Sequence, residues 1–120
     1  MDDQINGVQQ MQDYIRTHLN EEITLDQLAM EAHFSPWYSA RIFKEYTGLS
    51  PGEYIRRLKL STAALRLRDE HIRVIDVAYD YSFVSVDGFQ RAFRKEYGCN
   101  SKKLARHPVP ICLFIPYGAQ

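Results

Sequence analysis

Two arginines stand at matching places in a repeated segment of the chain. Arg41 opens the segment RIFKEYTG (41–48), and Arg91 opens the segment RAFRKEYG (91–98). In each copy a phenylalanine and a second basic residue follow the arginine, and the segment ends in glycine. A guanidinium group forms paired hydrogen bonds with guanine O6 and N7, and it also binds phosphate. The repeated arginine therefore indicates a surface that binds a polyanion.

The repeat extends well beyond these two segments. The residues that match at an offset of 49 are Leu28 with Val77, Ala29 with Ala78, and Phe34 with Phe83. From the arginines onward the offset is 50, so one residue has been added in between, where a loop absorbs it most easily. Each copy has the pattern of a short helix, a turn of three to four residues and a longer helix that begins with a polar cap. This is the layout of a helix-turn-helix.

Helical signals cover most of the chain. Apolar residues recur every three or four positions, and polar caps and glycine stops mark the ends. The predicted helices are 8–19, 24–32, 35–48, 50–69, 73–81 and 85–98. Capping boxes are predicted at Thr24 with Gln27 and at Ser50 with Glu53. The apolar faces of the helix at 50–69 are predicted to consist of Ile55, Leu58, Ala63 and Leu65.

The second helix of each copy divides into an inner and an outer side. The inner sides are Ser39, Ile42, Phe43 and Tyr46 in the first copy, and Phe89, Ala92, Phe93 and Tyr97 in the second. We call the opposite sides the first outer face (Trp37, Ala40, Arg41 and Lys44) and the second outer face (Asp87, Gln90, Arg91 and Arg94). Arginine, lysine and glutamine on such a face can contact base edges. The alternative is that the arginines only pair with local acids, such as Glu45.

At these residues the chain resembles the DNA-binding domain of AraC/XylS-type transcriptional regulators. The resemblance covers about residues 8–106 and rests on LDQLAMEAHFSPWYSARIFKEYTGLSPGEYIRRLKL and VIDVAYDYSFVSVDGFQRAFRKEYGCNSKKLAR. It implies an all-α fold of about seven helices, with helix-turn-helix subdomains at 1–49 and 70–107 joined by a long helix at 50–69. In such regulators the second helices enter successive major grooves of double-stranded DNA. By position, the eight residues of the two outer faces are the expected DNA-binding residues.

The chain departs from the family pattern at three places. The turn position that is often glycine is His33 in the first unit and Ser82 in the second, and neither residue prefers left-handed backbone geometry. Asp87 places an acid where the second helix should meet DNA; it can accept from cytosine N4, cap the helix or repel phosphates. After the last glycine, Asn100–Ala105 replaces the usual Ser-Pro-x-x-Tyr-Arg. The second unit is therefore expected to read DNA less typically than the first.

Charge and composition narrow the classes of function. The net charge is zero, but residues 1–33 carry −6 and the rest of the chain +6, so a polyanion has a basic region to bind. Cys99 and Cys112 form no CxxC motif and have no histidine at metal-ligand spacing. Free thiols, no metal and no cofactor are expected. No hydrolase, metalloprotease or phosphate-loop motif is present, so an enzyme is not expected.

The expected partners follow from this interpretation. We predict a sequence-specific transcriptional regulator that binds double-stranded DNA and acts as an activator, with RNA polymerase as a candidate partner of exposed N-terminal acids. The chain begins without a signal peptide and has no membrane-spanning apolar run, so a cytoplasmic location is expected. The alternative is a helical protein-interaction module that does not read DNA.

The C-terminal segment 108–120 does not fit a helical bundle. Its apolar run Ile-Cys-Leu-Phe-Ile lies between prolines and reads as a short extended tail. One interpretation is that it folds back on the helical core. The other is that it begins an effector-binding domain, as in family members whose C-terminal half resembles gyrase inhibitors. A small-molecule effector is then expected only through a domain that is absent from this chain.

Overall fold

The computed structural model describes residues 3–99 together with Ser101 and Leu104, and these residues fold as helices and turns. The helices are α1 (Asp3–Thr17), α2 (Leu25–Ala32), α3 (Pro36–Thr47), α4 (Pro51–Asp69), α5 (Val74–Asp80) and α6 (Val86–Tyr97). No strand occurs among the described residues, and the predicted all-α class is confirmed. Ser101 and Leu104 are also helical. The tail at 108–120 lies outside the described residues.

The chain divides into two compact units at a point inside α4. The first unit extends to Arg56 and the second begins at Arg57. The first contains α1 and the helix-turn-helix formed by α2 and α3, and the second contains the helix-turn-helix formed by α5 and α6. Within residues 3–99, no helix has an 18-residue stretch apolar enough to span a lipid bilayer.

The first unit is built on the buried sides of its three helices. The buried residues of these helices include Val8, Met11, Ile15, Leu28, Ala29, Ala32, Ile42 and Phe43. The Phe43 ring meets the buried Tyr54 ring edge to face, with centroids 4.9 Å apart. Gly7 of α1 lies so close to Phe34 that an added Cβ would stand 2.7 Å from the Phe34 ring. Residue 7 must therefore lack a side chain if α1 is to approach the helix-turn-helix this closely.

An aromatic row forms the centre of the second unit. Phe83, Phe89, Phe93 and Tyr97 follow one another with ring centroids 4.8–5.8 Å apart. Phe89 and Phe93 are fully buried, as predicted for the inner side of this helix. The row fixes the rotation of α6, because its phenylalanines can be buried only if the opposite side faces outward.

Both helix-turn-helix turns contain a residue with positive φ. His33 has φ 61° and Ser82 has φ 62°, and the two lie at the same place in the repeat. In each turn the following phenylalanine N–H returns to the preceding helix, from Phe34 to the Ala29 carbonyl at 3.1 Å and from Phe83 to the Ala78 carbonyl at 3.0 Å. The left-handed residue is thus required by the turn, although neither side chain favours it.

Glycine at Ser82 is expected to raise the free energy of unfolding by about 0.5–1 kcal/mol. The substitution removes the cost of a left-handed serine, and the greater freedom of glycine in the unfolded chain offsets part of that gain. His33→Gly should stabilise less, because histidine tolerates this region better than most residues. Urea unfolding measures both changes. Ser85→Gly is the control, since Ser85 has φ −147° and caps α6; stabilisation by that variant as well would contradict the argument.

The predicted helix ends hold except in α1. The capping box at α2 is present, with the Thr24 hydroxyl accepting from the Gln27 N–H and the Gln27 side chain accepting from the Thr24 N–H. Gly48 and Gly98 both end their helices in left-handed geometry. The prediction of 8–19 for α1 was wrong at both ends, since the helix runs from Asp3 to Thr17. The first residues of α1 are mostly polar, and its contact residue Gly7 has no side chain. No apolar spacing therefore marks this part of the helix in the sequence.

The predicted buried face of α4 was largely wrong. Of the four residues named for it, Ala63 is fully buried, whereas Ile55, Leu58 and Leu65 are only partly buried. The apolar residues of α4 that are buried are Tyr54, Leu60, Ala63, Ala64 and Leu67. Apolar residues occur on more than one side of this helix, so the spacing alone could not select the buried one.

Candidate nucleic-acid interface

The first outer face is held on α3 by local signals in the sequence. Ser35 caps the helix by accepting from the Tyr38 N–H at 3.2 Å, and Pro36 occupies the first helical position. Ser39, Ile42 and Phe43 are fully buried, which turns the other side of the helix outward. That side lines an open concavity of about 560 Å³ together with three neighbouring residues; the full lining is Trp37, Ala40, Arg41, Lys44, Glu45, Ser50 and Pro51. The four residues named from the sequence are therefore brought together.

Arg41 lies beside two aromatic rings, of which Trp37 lines the concavity. Its guanidinium carbon is 5.7 Å from the centroid of the Trp37 ring and 5.1 Å from that of Tyr38. Such contacts are favourable cation–π interactions and restrict the side chain without neutralising its charge. Trp37 is itself 73% exposed, so it presents a large apolar surface beside the charge. A positive charge beside an exposed aromatic ring can bind a phosphate together with its sugar, or the edge of a base.

The ion pair that the alternative interpretation requires is also present. Arg41 Nη1 lies 3.8 Å from Glu45 Oε2, one turn later on α3. Both side chains are about half exposed, at 48% and 58%. Exposed pairs of this kind contribute about 0.2–1 kcal/mol and are weakened by salt. Because this pair is weak, Arg41 remains available to an anionic ligand that binds it more tightly than Glu45 does.

The second outer face has the same construction on α6. Ser85 caps this helix by accepting from the Gly88 N–H at 3.0 Å. Asp87, Gln90, Arg91 and Arg94 together line an open concavity of about 380 Å³. These residues occupy the positions of Trp37, Ala40, Arg41 and Lys44 in the repeat. The two units thus present equivalent surfaces at equivalent positions.

The charges of the second outer face differ from those of the first. Arg91 and Arg94 are exposed and have no ion pair with any residue that the structure describes. Where the first copy has Glu45 one turn after its arginine, the second has Lys95. Gln90 is held differently again, since its Oε1 accepts a hydrogen bond from the Ser101 hydroxyl at 3.1 Å. The second face therefore combines one oriented amide with two arginines that have no ion pair within the described part of the chain.

Asp87 is not the N-cap of α6, because Ser85 fills that role. It lies in the first turn, where a negative charge stabilises a helix through the N-terminal dipole. Its side chain is exposed beside the two arginines. Of the three roles that the sequence left open, capping is the one that the geometry assigns to another residue.

Several residues that line or support the candidate interface were not predicted from the sequence as DNA-binding residues. Glu45, Ser50 and Pro51 complete the first concavity, and Ser101 anchors Gln90 in the second unit. The offset of 50 residues could have found the last contact, since it pairs Ser101 with Pro51 and Gln90 with Ala40. Two polar residues in one copy, at positions that are apolar in the other, indicate a side-chain hydrogen bond that only the second unit can form.

The chain has two helix-turn-helix units, each with basic residues on the outer face of its second helix. This arrangement places it in the class of DNA-binding helix-turn-helix proteins. A family model described as a helix-turn-helix domain matches residues 28–107. The regulatory protein SoxS of Salmonella typhimurium is 34% identical over 90 residues, which are 75% of this chain and 84% of SoxS. The chain belongs to the AraC/XylS family of transcriptional regulators.

Longer relatives also match the chain, and solved structures share its fold. The right origin-binding protein of Escherichia coli K12 is 34% identical over 106 residues, which are 88% of this chain. The aligned part is only 37% of that protein's own length. The DNA-binding domain of the global transcriptional factor AdpA, solved with a target DNA, shares the fold with a TM-score of 0.76 at 24% identity. That match covers 84% of this chain and 96% of the AdpA chain.

Proposed function

We propose that this chain is a sequence-specific double-stranded DNA-binding regulator of transcription that acts as an activator. It places α3 and α6, one from each unit, in successive major grooves. The single observation that supports this most is that both outer faces, at equivalent positions of a repeat, collect exposed basic and polar side chains over a concave surface. The AdpA domain, which has the same fold, was solved with its target DNA.

The proposed roles follow the chemistry of each side chain. Arg41 and Arg91 contact base edges, Gln90 reads a base through its amide, and Trp37 and Ala40 offer apolar contact to a thymine methyl or a sugar. Lys44 and Arg94 bind phosphates. Activation requires a contact with RNA polymerase, and the acidic N-terminal part is the candidate surface. The proposal places the chain in the cytoplasm with the DNA and gives it no catalytic role.

Salt dependence tests the proposal against a protein-interaction module. The logarithm of the binding constant for a duplex should fall with the logarithm of salt concentration with a slope of about −3 or steeper, since each phosphate contact contributes about −0.9. Arg94→Ala should reduce the slope by about 1. The matched control is Arg73→Ala, because Arg73 is exposed but pairs with Asp76 at the start of α5. A slope near zero would contradict DNA binding through these residues and favour the protein-interaction alternative.

Removing the charge of Asp87 is expected to raise the affinity for any duplex by about 1 kcal/mol, or roughly fivefold. The carboxylate lies on the surface assigned to DNA, where it repels phosphate at close range. The same Asp87→Asn change should slightly lower the stability of the second unit, because it removes a favourable charge from the first turn of α6. The control is Asp76→Asn, which changes an acid in the first turn of α5. A loss of affinity in Asp87→Asn would mean that Asp87 accepts a hydrogen bond from a base.

A further inference from the structure

A buried serine holds a side chain of the second outer face. The hydroxyl of Ser101 donates to Oε1 of Gln90 across 3.1 Å. Ser101 has no exposed surface, whereas Gln90 is partly exposed and lines the concavity with Asp87 and the two arginines. The bond therefore joins a buried hydroxyl to a group on the surface assigned to DNA.

The first unit lacks this bond because both positions are apolar there. At an offset of 50 residues, Gln90 corresponds to Ala40 and Ser101 corresponds to Pro51. Ala40 and Pro51 both line the first concavity. Neither has a side-chain group that can form a hydrogen bond. The second unit thus has hydrogen-bonding side chains at two positions that are both apolar in the first unit, and these two side chains bond to each other.

The bond has a direct consequence for reading a base. A glutamine side chain has several rotatable bonds, and a contact with DNA requires one orientation of its amide. The amide oxygen carries two lone pairs, of which the Ser101 hydroxyl occupies one. The other lone pair can accept from adenine N6 while Nε2 donates to adenine N7. With Oε1 held by the Ser101 hydroxyl, as the structure shows, the amide is oriented before it meets a base.

We infer that Ser101 is a positioning residue, which orients the amide of Gln90 for adenine in the major groove. The inference rests on the proposed function, because it concerns how one residue of that surface selects its base. The competing explanation is that Gln90 merely satisfies the buried hydroxyl of Ser101, as every buried polar group requires. The two explanations differ in whether Ser101 affects the choice of base.

The test is a binding selection on random duplexes with the whole chain. The wild-type protein is compared with Gln90→Ala, Ser101→Ala, Ser101→Thr and the double variant Gln90→Ala/Ser101→Ala. Gln90→Ala should lose an adenine preference at one position, which identifies the base that Gln90 reads. Ser101→Ala should weaken the preference there by about three- to tenfold, the range expected from one hydrogen bond, and leave the Arg41 positions unchanged. Ser101→Thr should retain the preference, because it keeps the hydroxyl.

The double variant separates positioning from folding. Ser101→Ala should change nothing further once Gln90 is alanine, and circular dichroism should show each variant folded. An unchanged adenine preference in Ser101→Ala, or equal effects of that variant with and without Gln90, would overturn the inference. A preferred sequence that does not depend on Gln90 would overturn it while the proposed function stands. A wild-type protein that selects no sequence would overturn both.

Discussion

Replacing Phe43 with alanine is expected to lower the free energy of unfolding by about 3–5 kcal/mol, the usual cost of removing a buried phenylalanine. The ring is fully buried in the first unit and packs edge to face on Tyr54. The loss combines the transfer of the ring out of the core with the cavity that it leaves. Denaturant unfolding followed by circular dichroism measures the change.

The matched control is Trp37, an exposed aromatic residue of the same helix. Trp37→Ala removes a larger ring from the same helix, but Trp37 is 73% exposed. Its effect on the free energy of unfolding should stay within about 0.5 kcal/mol, as for most surface substitutions. Affinity for the selected duplex should nevertheless fall, because the ring belongs to the first outer face. A large loss of stability in Trp37→Ala would mean that the tryptophan packs on its own unit.

Replacing Arg41 with alanine is expected to cost about 1–3 kcal/mol of affinity for the preferred duplex and to relax the preference at one base position. The guanidinium is exposed beside Trp37 and is restrained by rings and by a weak ion pair with Glu45. Arg91→Ala should act in the same way at a different position. Competition assays with duplexes altered one base pair at a time measure both effects.

Arginines that are ion-paired elsewhere on the surface provide the controls. Arg16 is exposed and pairs with Asp13 at 3.0 Å in the first unit, and Arg73 pairs with Asp76 at 2.9 Å in the second. Alanine at either position should leave the base preference unchanged. An equal loss of affinity on every duplex in Arg41→Ala would show that Arg41 contacts phosphate and does not read a base.

Local signals in the sequence predict the two helix-turn-helix motifs well. The caps at Ser35 and Ser85 and the glycine stops at Gly48 and Gly98 act through backbone geometry within a few residues. The inner sides of α3 and α6 follow from helical spacing, because each has one continuous apolar stripe with phenylalanine at its centre. The grouping of the outer faces follows in turn, since residues opposite a buried stripe must point outward.

Features that depend on contacts distant in sequence could not be predicted in the same way. The start of α1 depends on the fit of Gly7 against Phe34, which no local pattern reveals. The buried side of α4 depends on which of several apolar sides meets a neighbour. The left-handed turns at His33 and Ser82 oppose the preferences of those residues, so only the family resemblance, and no residue preference, pointed to these positions.

A binding selection of random duplexes by the wild-type chain tests the central proposal most directly. Because the two units differ at three of the four positions of their outer faces, each should prefer its own bases. Base reading by both units predicts one enriched, asymmetric sequence with two different blocks of preferred bases, one that weakens in Arg41→Ala and one that weakens in Arg91→Ala. Enrichment of no sequence, at a salt concentration at which the protein still binds the duplexes, would contradict it.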